Sequence, residues 1–162
     1  MAIVHPANPV IDLTTEQLRQ IYAGEITNWR EVGGRDAPIM VITREEGSGT
    51  RGAFEDMVMD DNPIFPGAIT MVGAGGVKAA LVGAERGIAY ISLWGVDETV
   101  KVVKIDGVMP TAESVLAGDF GIARPYIFLT LGEEVLERAF IDFVLSDAGQ
   151  DIIREKGLVP VR

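Results

Sequence analysis

Arg44, Ser48, Gly49 and Thr50 fall within seven consecutive positions, in the run Arg44-Glu45-Glu46-Gly47-Ser48-Gly49-Thr50. A guanidinium supplies a fixed positive charge and a planar fork of donors. A Gly-Ser-Gly-Thr turn at a helix start adds unpaired backbone N–H groups, two hydroxyls and the positive end of the helix dipole. Together these are the parts of a desolvated oxyanion site. The simpler alternative is that Ser48 caps a helix and the glycines make a tight turn. Arg44 could equally pair with Glu46, or with Glu45, and such a pair would itself aim the guanidinium.

The elements that must hold this turn are legible on either side of it. Residues 38–43 read as a buried strand, Pro-Ile-Met-Val-Ile-Thr. Residues 50–60 read as a helix with Phe54, Met57 and Val58 on one face. Strand, glycine turn and helix in that order place polar groups at the carboxyl end of a strand, where α/β folds bind ligands. Upstream, residues 2–4 form a short apolar strand, and Pro6 and Pro9 suit an extended crossover. Thr14-Thr-Glu-Gln17 is a capping box, Leu18, Ile21 and Tyr22 follow at helical spacing, and Gly24 ends the helix.

Downstream, residues 69–72 read as a strand, Gly73-Ala-Gly-Gly76 opens a helix carrying Val77, Ala80 and Leu81, and residues 87–92 return as a strand. The alternation fits parallel strands in an α/β layer. Residues 100–105 and 126–130 read as strands separated by a short helix near 112–117. Residues 134–145 form an amphipathic helix with Val135, Leu136, Phe140, Ile141 and Val144 apolar. Ser146 caps a last helix that Gly157 terminates.

Composition narrows the function classes. The chain has 162 residues, enough for one cored domain or a lobe with part of another. A hydrophobic content of 48% argues for a folded chain. Lys and Arg number 14 against 24 Asp and Glu, a net charge of −10, and no basic block exists, so nucleic acid is not an expected partner. An acidic chain can still bind an anion, because local N–H dipoles and an arginine outweigh distant screened charges. Cysteine is absent and His5 is the one histidine, which excludes disulfides, thiolate metal sites and a histidine metal cluster within one chain.

Other polar groups read more simply. Asp12, Asp36 and the Asp60-Asp61 pair fall in turns and caps, where aspartate is structurally favoured. His5 suits a solvated or hinge position, and Gly73–76 a plain turn. Trp29, Tyr90 and Trp94 suit core or cleft-edge positions, and Arg124-Pro125 precedes a strand and is not assigned to ligand. No nucleophile, base and orienting group can be read together, so an enzyme is not expected. No run of about eighteen apolar residues is present, and Met1-Ala-Ile-Val-His-Pro6 lacks the charge and apolar pattern of a signal peptide.

The ordered series of motifs goes further. Residues 11–29 end in Gly24-Glu-Ile-Thr-Asn-Trp29. The Arg44 motif follows, then Gly87-Ile-Ala-Tyr-Ile-Ser92, Ile105-Asp-Gly-Val-Met-Pro-Thr111, Ala123-Arg-Pro-Tyr126, Phe143-Val-Leu-Ser-Asp-Ala-Gly-Gln150 and Gly157-Leu-Val-Pro160. In order and spacing the series closely resembles the phosphate-binding proteins of phosphate-specific ABC transporters, over nearly the whole chain. The resemblance implies a periplasmic-binding-protein-like α/β fold of the type II solute-binding class. It implies a crossover strand at 1–10, a complete ligand-binding lobe at 11–99 and the C-terminal part of the other lobe at 100–162, without that lobe's N-terminal part.

It further implies non-catalytic capture of inorganic phosphate, by Arg44, Ser48, Gly49 and Thr50, with Glu46 and Gly47 supporting them. In the family an acidic residue at the Glu46 position pairs with the arginine. No cofactor and no metal are implied. The implied partners are an ABC permease and a homodimer mate or separate chain supplying the missing half-lobe. The family is exported, so an extracytoplasmic location is implied; a native chain beginning at Met1 would instead be cytoplasmic. In the family, the carboxylate that accepts the phosphate O–H lies in the missing segment, so rejection of sulfate is not expected of this chain. Two other readings remain open: a small-oxyanion sensor, and an interaction protein that has lost ligand affinity.

Overall fold

The computed structural model describes residues 1–132 and 134–161. Glu133 and Arg162, both within the expected C-terminal unit, lie outside the described residues. Among the described residues seven strands form: β1 Ala2–Val4, β2 Asp12–Leu13, β3 Met40–Arg44, β4 Ile69–Met71, β5 Gly87–Tyr90, β6 Lys101–Val102 and β7 Lys104–Ile105. Five of them make one sheet in the order β4-β3-β5-β1-β6, and β2 pairs with β7 in a second, two-stranded sheet.

The α-helices among these residues are α1 Thr15–Ala23, α2 Gly49–Phe54, α3 Gly73–Val82, α4 Ala112–Leu116, α5 Val135–Leu145 and α6 Asp147–Glu155. Strand β3 runs parallel to both β4 and β5, with Arg44 level with Met71 and Val41 level with Ile88. Helices α2 and α3 make the crossovers that parallel pairing requires. The sheet is nonetheless mixed, because β1 lies antiparallel between β5 and β6. No helical crossover joins β1 to β5, so the parallel arrangement is not imposed there.

Strand alternation sorts the core onto two faces. Ala2, Val4, Ile88 and Tyr90 face one way and pack with Leu18, Ile21 and Tyr22 of α1 and Phe54 of α2. Ile3, Ile42, Ala89 and Ile91 face the other way and pack with Val77 and Leu81 of α3. Each such side chain, fully buried, contributes about 1.5–3 kcal/mol of apolar transfer.

The capping box forms as read: Thr14 accepts from the Gln17 N–H, the Gln17 side chain accepts from the Thr14 N–H, and Gly24 closes α1 at φ 81°. Helix α2 departs from a plain α-helix. Its continuation, Glu55–Met59, is a π-helix that stops at Asp60, which adopts φ 48°. Val58 and Met59, successive residues of this wider turn, are both buried in the same core as Phe54. Aspartate tolerates the left-handed conformation better than most residues, so it ends the turn where glycine would otherwise be needed.

Two expectations for the second half need correction. Residues 100–105 do not form one strand: β6 joins the large sheet, Val103 donates its N–H to Ala2 O, and β7 pairs with β2. Residues 126–130 form no strand at all. A strand requires a ladder partner, and none lies beside them among the described residues. Tyr126, Ile127, Leu129 and Leu131 are exposed instead. Helix α5 buries no residue, and its Val135 and Leu136 are more than four-fifths exposed. Phe128 and Phe140 meet edge to face at 5.9 Å between ring centres.

Candidate anion-binding site

Arg44 is the last residue of β3, and its backbone is held from three sides. Tyr90, across the sheet on β5, accepts the Arg44 N–H at 3.3 Å and shares a hydrogen bond with Thr43 Oγ1 at 2.8 Å. Phe54 stacks on the Tyr90 ring, 4.2 Å between centres and 7° from parallel, which ties α2 to β5. Arg51 donates Nη1 to Arg44 O at 3.1 Å while its Nε pairs with Glu55 at 2.8 Å. Burial pushes the Tyr90 phenol up from its ordinary value, so it stays a neutral hydrogen-bonding group.

The Arg44 guanidinium is fixed by its own neighbour. Nε and Nη2 each lie 2.8 Å from the two Glu45 carboxylate oxygens, a bidentate pair. The Gly73 N–H at the start of α3 also donates to Glu45 Oε2, at 3.3 Å. The arginine fork and these N–H bonds hold the Glu45 carboxyl at about 2. The pair raises Arg44 in turn. The expected partner, Glu46, is not the one used. Glu46 makes no ion pair with Arg44, because the chain has already turned at Glu45, and Gly47 follows in a left-handed conformation at φ 80°.

Helix α2 begins where that turn ends. Ser48 is its cap, accepting the Arg51 N–H at 3.3 Å, so the capping role does operate. That bond uses an oxygen lone pair and leaves the hydroxyl proton available. The Gly49 and Thr50 N–H groups have no hydrogen-bond acceptor among the described residues. Thr50 Oγ1 meets Ser92 Oγ at 3.1 Å. Arg44, Ser48, Gly49 and Thr50 all line one cleft of about 590 Å³. Glu46 and Gly47 do not line it.

Gly73 and Ala74, read as a plain turn, form part of the cleft wall. Tyr90 and Trp94, read as core or cleft-edge aromatics, line it, as does Ser92. So does Arg124, which had been set apart from the ligand. Its Nη2 lies 2.7 Å from where a Cβ on Gly49 would stand. Nothing in the local sequence announces this, since Arg124 is distant along the chain and reaches Gly49 through the fold. The charged side chains lining the cleft are Arg44 and Arg124, and no aspartate or glutamate lines it among the described residues.

The remaining polar groups lie elsewhere. His5 accepts the Ala7 N–H at 3.1 Å, away from the cleft. Asp12 accepts from the Gly107 N–H, and Asp60 and Asp61 adopt φ 48° and 62° at the end of the π-helix. Asp36 pairs with Arg30 and accepts from the Asn28 side chain. Among the described residues no group of histidine, aspartate and glutamate could hold a metal ion. Among the described residues no helix is long and apolar enough to cross a membrane.

Comparison with known proteins agrees with this architecture. A family model described as the PBP superfamily domain matches residues 1–148. The phosphate-binding protein PstS of Bacillus subtilis is 32% identical over 99% of this chain, and that of Borreliella burgdorferi 29% identical over 99%. The chain spans 54% and 62% of those two relatives, so it is similar to somewhat more than half of each. A Clostridium perfringens protein solved with bound phosphate, described as a phosphate ABC transporter substrate-binding protein, superposes with a TM-score of 0.91 at 42% identity. The match covers 99% of this chain and 68% of that one. An ABC-type phosphate transport receptor from Vibrio cholerae superposes at 0.87 with 32% identity, over 98% and 68%. With its mixed α/β sheet and the matched model over most of its length, the chain belongs to the PBP superfamily domain family, with the periplasmic-binding-protein-like fold.

Proposed function

We propose that this chain binds inorganic phosphate in the cleft at the start of α2, as the solute-binding component of an ABC phosphate importer. One observation carries the reading. In a protein of net charge −10, the cleft that gathers Arg44, the Ser48 and Thr50 hydroxyls and two unpaired N–H groups is lined by no carboxylate among the described residues. Such a lining favours an anion and disfavours a cation. The relatives named as phosphate-binding proteins support the choice of phosphate.

Arg44 is the charged contact, Ser48 and Thr50 donate hydroxyls, and Gly49 and Thr50 donate N–H groups. Glu45 aims the arginine, in the place first given to Glu46. Gly47 turns the chain so that Ser48 can cap α2. The role is capture and release without catalysis, and it needs no cofactor. The location is extracytoplasmic, where such a component meets its permease. Residues 11–99 form most of the ligand-binding lobe, 1–10 cross into it, β6 and β7 complete its sheets, and the residues after them belong to the second lobe. The exposed apolar face of α5 and residues 126–131 is the seat of a second copy of this chain.

Trp94, 54% exposed at the cleft, should report binding by a change in its fluorescence, over a constant background from Trp29, which is buried away from the cleft. Titration with phosphate at low ionic strength should give a saturable signal that calorimetry reproduces. A protein that stays silent in both titrations does not have this function.

A further inference from the structure

Two arginines face the cleft, and the proposed phosphate site uses one of them. The other, Arg124, makes no hydrogen bond or ion pair with any residue among those described. Arg124 is exposed, so its five donors are met by water in the free protein and are open to an anion that replaces that water. Its place is specific. Nη2 stands where a side chain on residue 49 would have to be, at 2.7 Å from an ideal Cβ, nearer than Cβ contacts occur. Glycine at 49 therefore opens the space that the guanidinium fills, beside the first free N–H groups of α2. Pro125 restricts the backbone of Arg124 to extended conformations, which narrows where the side chain can go.

Electrostatics point the same way. Helix α2, continued by the π-helix Glu55–Met59, offers only a partial positive charge at its start. Glu45 already compensates Arg44 through both of the nitrogens it binds. A doubly charged oxyanion would thus meet a nearly neutral arginine pair and that partial charge if Arg44 were its whole support. Arg124 has no such carboxylate, and none lines the cleft among the described residues. Its charge is uncompensated until an anion arrives.

We propose that Arg124 is the second cationic contact to the bound oxyanion, lying over Gly49 and supplying the net positive charge that Arg44, paired with Glu45, does not. This rests on the phosphate reading above and adds to it the group that matches a dianion.

Phosphate affinity of the whole chain, read from Trp94 fluorescence and calorimetry at two salt concentrations, tests it. Arg124→Gln should weaken binding about tenfold, as for loss of a charge-assisted hydrogen bond, and should flatten the salt dependence. Arg124→Lys should restore the salt dependence and part of the affinity, because it keeps the charge and loses the fork. Gly49→Ala should weaken binding in the native background and much less in the Arg124→Gln background, since the added methyl acts by displacing Arg124. Arg124 is exposed, so circular dichroism should confirm that Arg124→Gln folds as the native chain does. Unchanged affinity in Arg124→Gln, with Arg44→Ala crippled, overturns the assignment and leaves the phosphate site standing. Equal effects of Gly49→Ala in both backgrounds also overturn it. Absence of phosphate binding by the native chain overturns the phosphate reading itself, and this assignment with it.

Discussion

Arg44 and Glu45, adjacent in the chain, grip each other through two parallel hydrogen bonds of 2.8 Å, and the Gly73 N–H steadies the carboxylate from a second element. Successive residues on a regular strand point to opposite faces. The pair can form because β3 ends at Arg44 and the chain turns immediately afterwards. The guanidinium is thereby held at the cleft wall with its side chain 12% exposed.

The two halves should act differently on the anion. Arg44→Ala should cost about 1.5–3 kcal/mol of phosphate binding, as for loss of a charge-assisted bond. Glu45→Gln keeps the shape, loosens the alignment of Arg44 and frees its charge; the two effects oppose each other, so affinity should change by much less than in Arg44→Ala. Calorimetry that finds Arg44→Ala at native affinity would remove Arg44 from the ligand set.

The same pair sets an acid-side response. Glu45 sits at about 2 in the folded protein, below its ordinary value of 4.5. A depressed carboxylate contributes stability that is fully present above the unfolded value and is lost as pH falls through the folded one. The stability that the Arg44–Glu45 pair contributes should therefore fall away between about pH 4.5 and about pH 2, and the pair itself should release near the lower end. Carbon-13 NMR of the Glu45 carboxyl should show a midpoint near the bottom of that window. A midpoint at the ordinary glutamate value would mean that the ion pair does not form in solution.

Selectivity should be poor. Hydrogen phosphate carries an O–H that a carboxylate could accept, whereas sulfate carries none near neutral pH. No carboxylate lines this cleft among the described residues, so phosphate and sulfate should compete with affinities of the same order. Competition titrations showing a strong preference for phosphate would require an acceptor that these residues do not supply.

Tyr90 links the anion site to the core. Its hydroxyl accepts from Arg44 and bonds Thr43, and its ring stacks on Phe54. Tyr90→Phe keeps the ring and strands two polar groups, so it should destabilise the fold by about 1–3 kcal/mol in urea unfolding. Phosphate affinity should fall as well, because the end of β3 loses its anchor. A variant with native stability and affinity would show that the hydroxyl contributes nothing to holding Arg44.

The apolar surface should drive self-association. Leu129 and Leu136 are 92% and 82% exposed, beyond what isolated apolar residues on a surface explain. Sedimentation at micromolar concentration should give a dimer, and Leu136→Asp should shift it toward monomer while leaving phosphate binding in place. A native chain that sediments as a monomer and binds no hydrophobic dye would sink the dimer.

Local signals by themselves determined much of this protein. The Thr14 and Gln17 box and Gly24 closing α1 formed as read, and the strand–turn–helix order around Arg44 and the β5 strand formed with shifted ends, because each depends on neighbours a few residues away. The same locality explains why Arg44, Ser48, Gly49 and Thr50 were found together: one turn carries them all. Tertiary structure decided what long-range partners control. Whether Glu45 or Glu46 met Arg44 depended on where β3 stopped, and Gly73, from the start of α3, settled the carboxylate's second bond. Residues 126–130 have strand composition but no ladder to join, and backbone groups without a partner in the sheet do not form a strand. Arg124 entered the cleft because the fold lays it against a glycine far away in sequence, and the absence of Cβ at Gly49 is what leaves room for it.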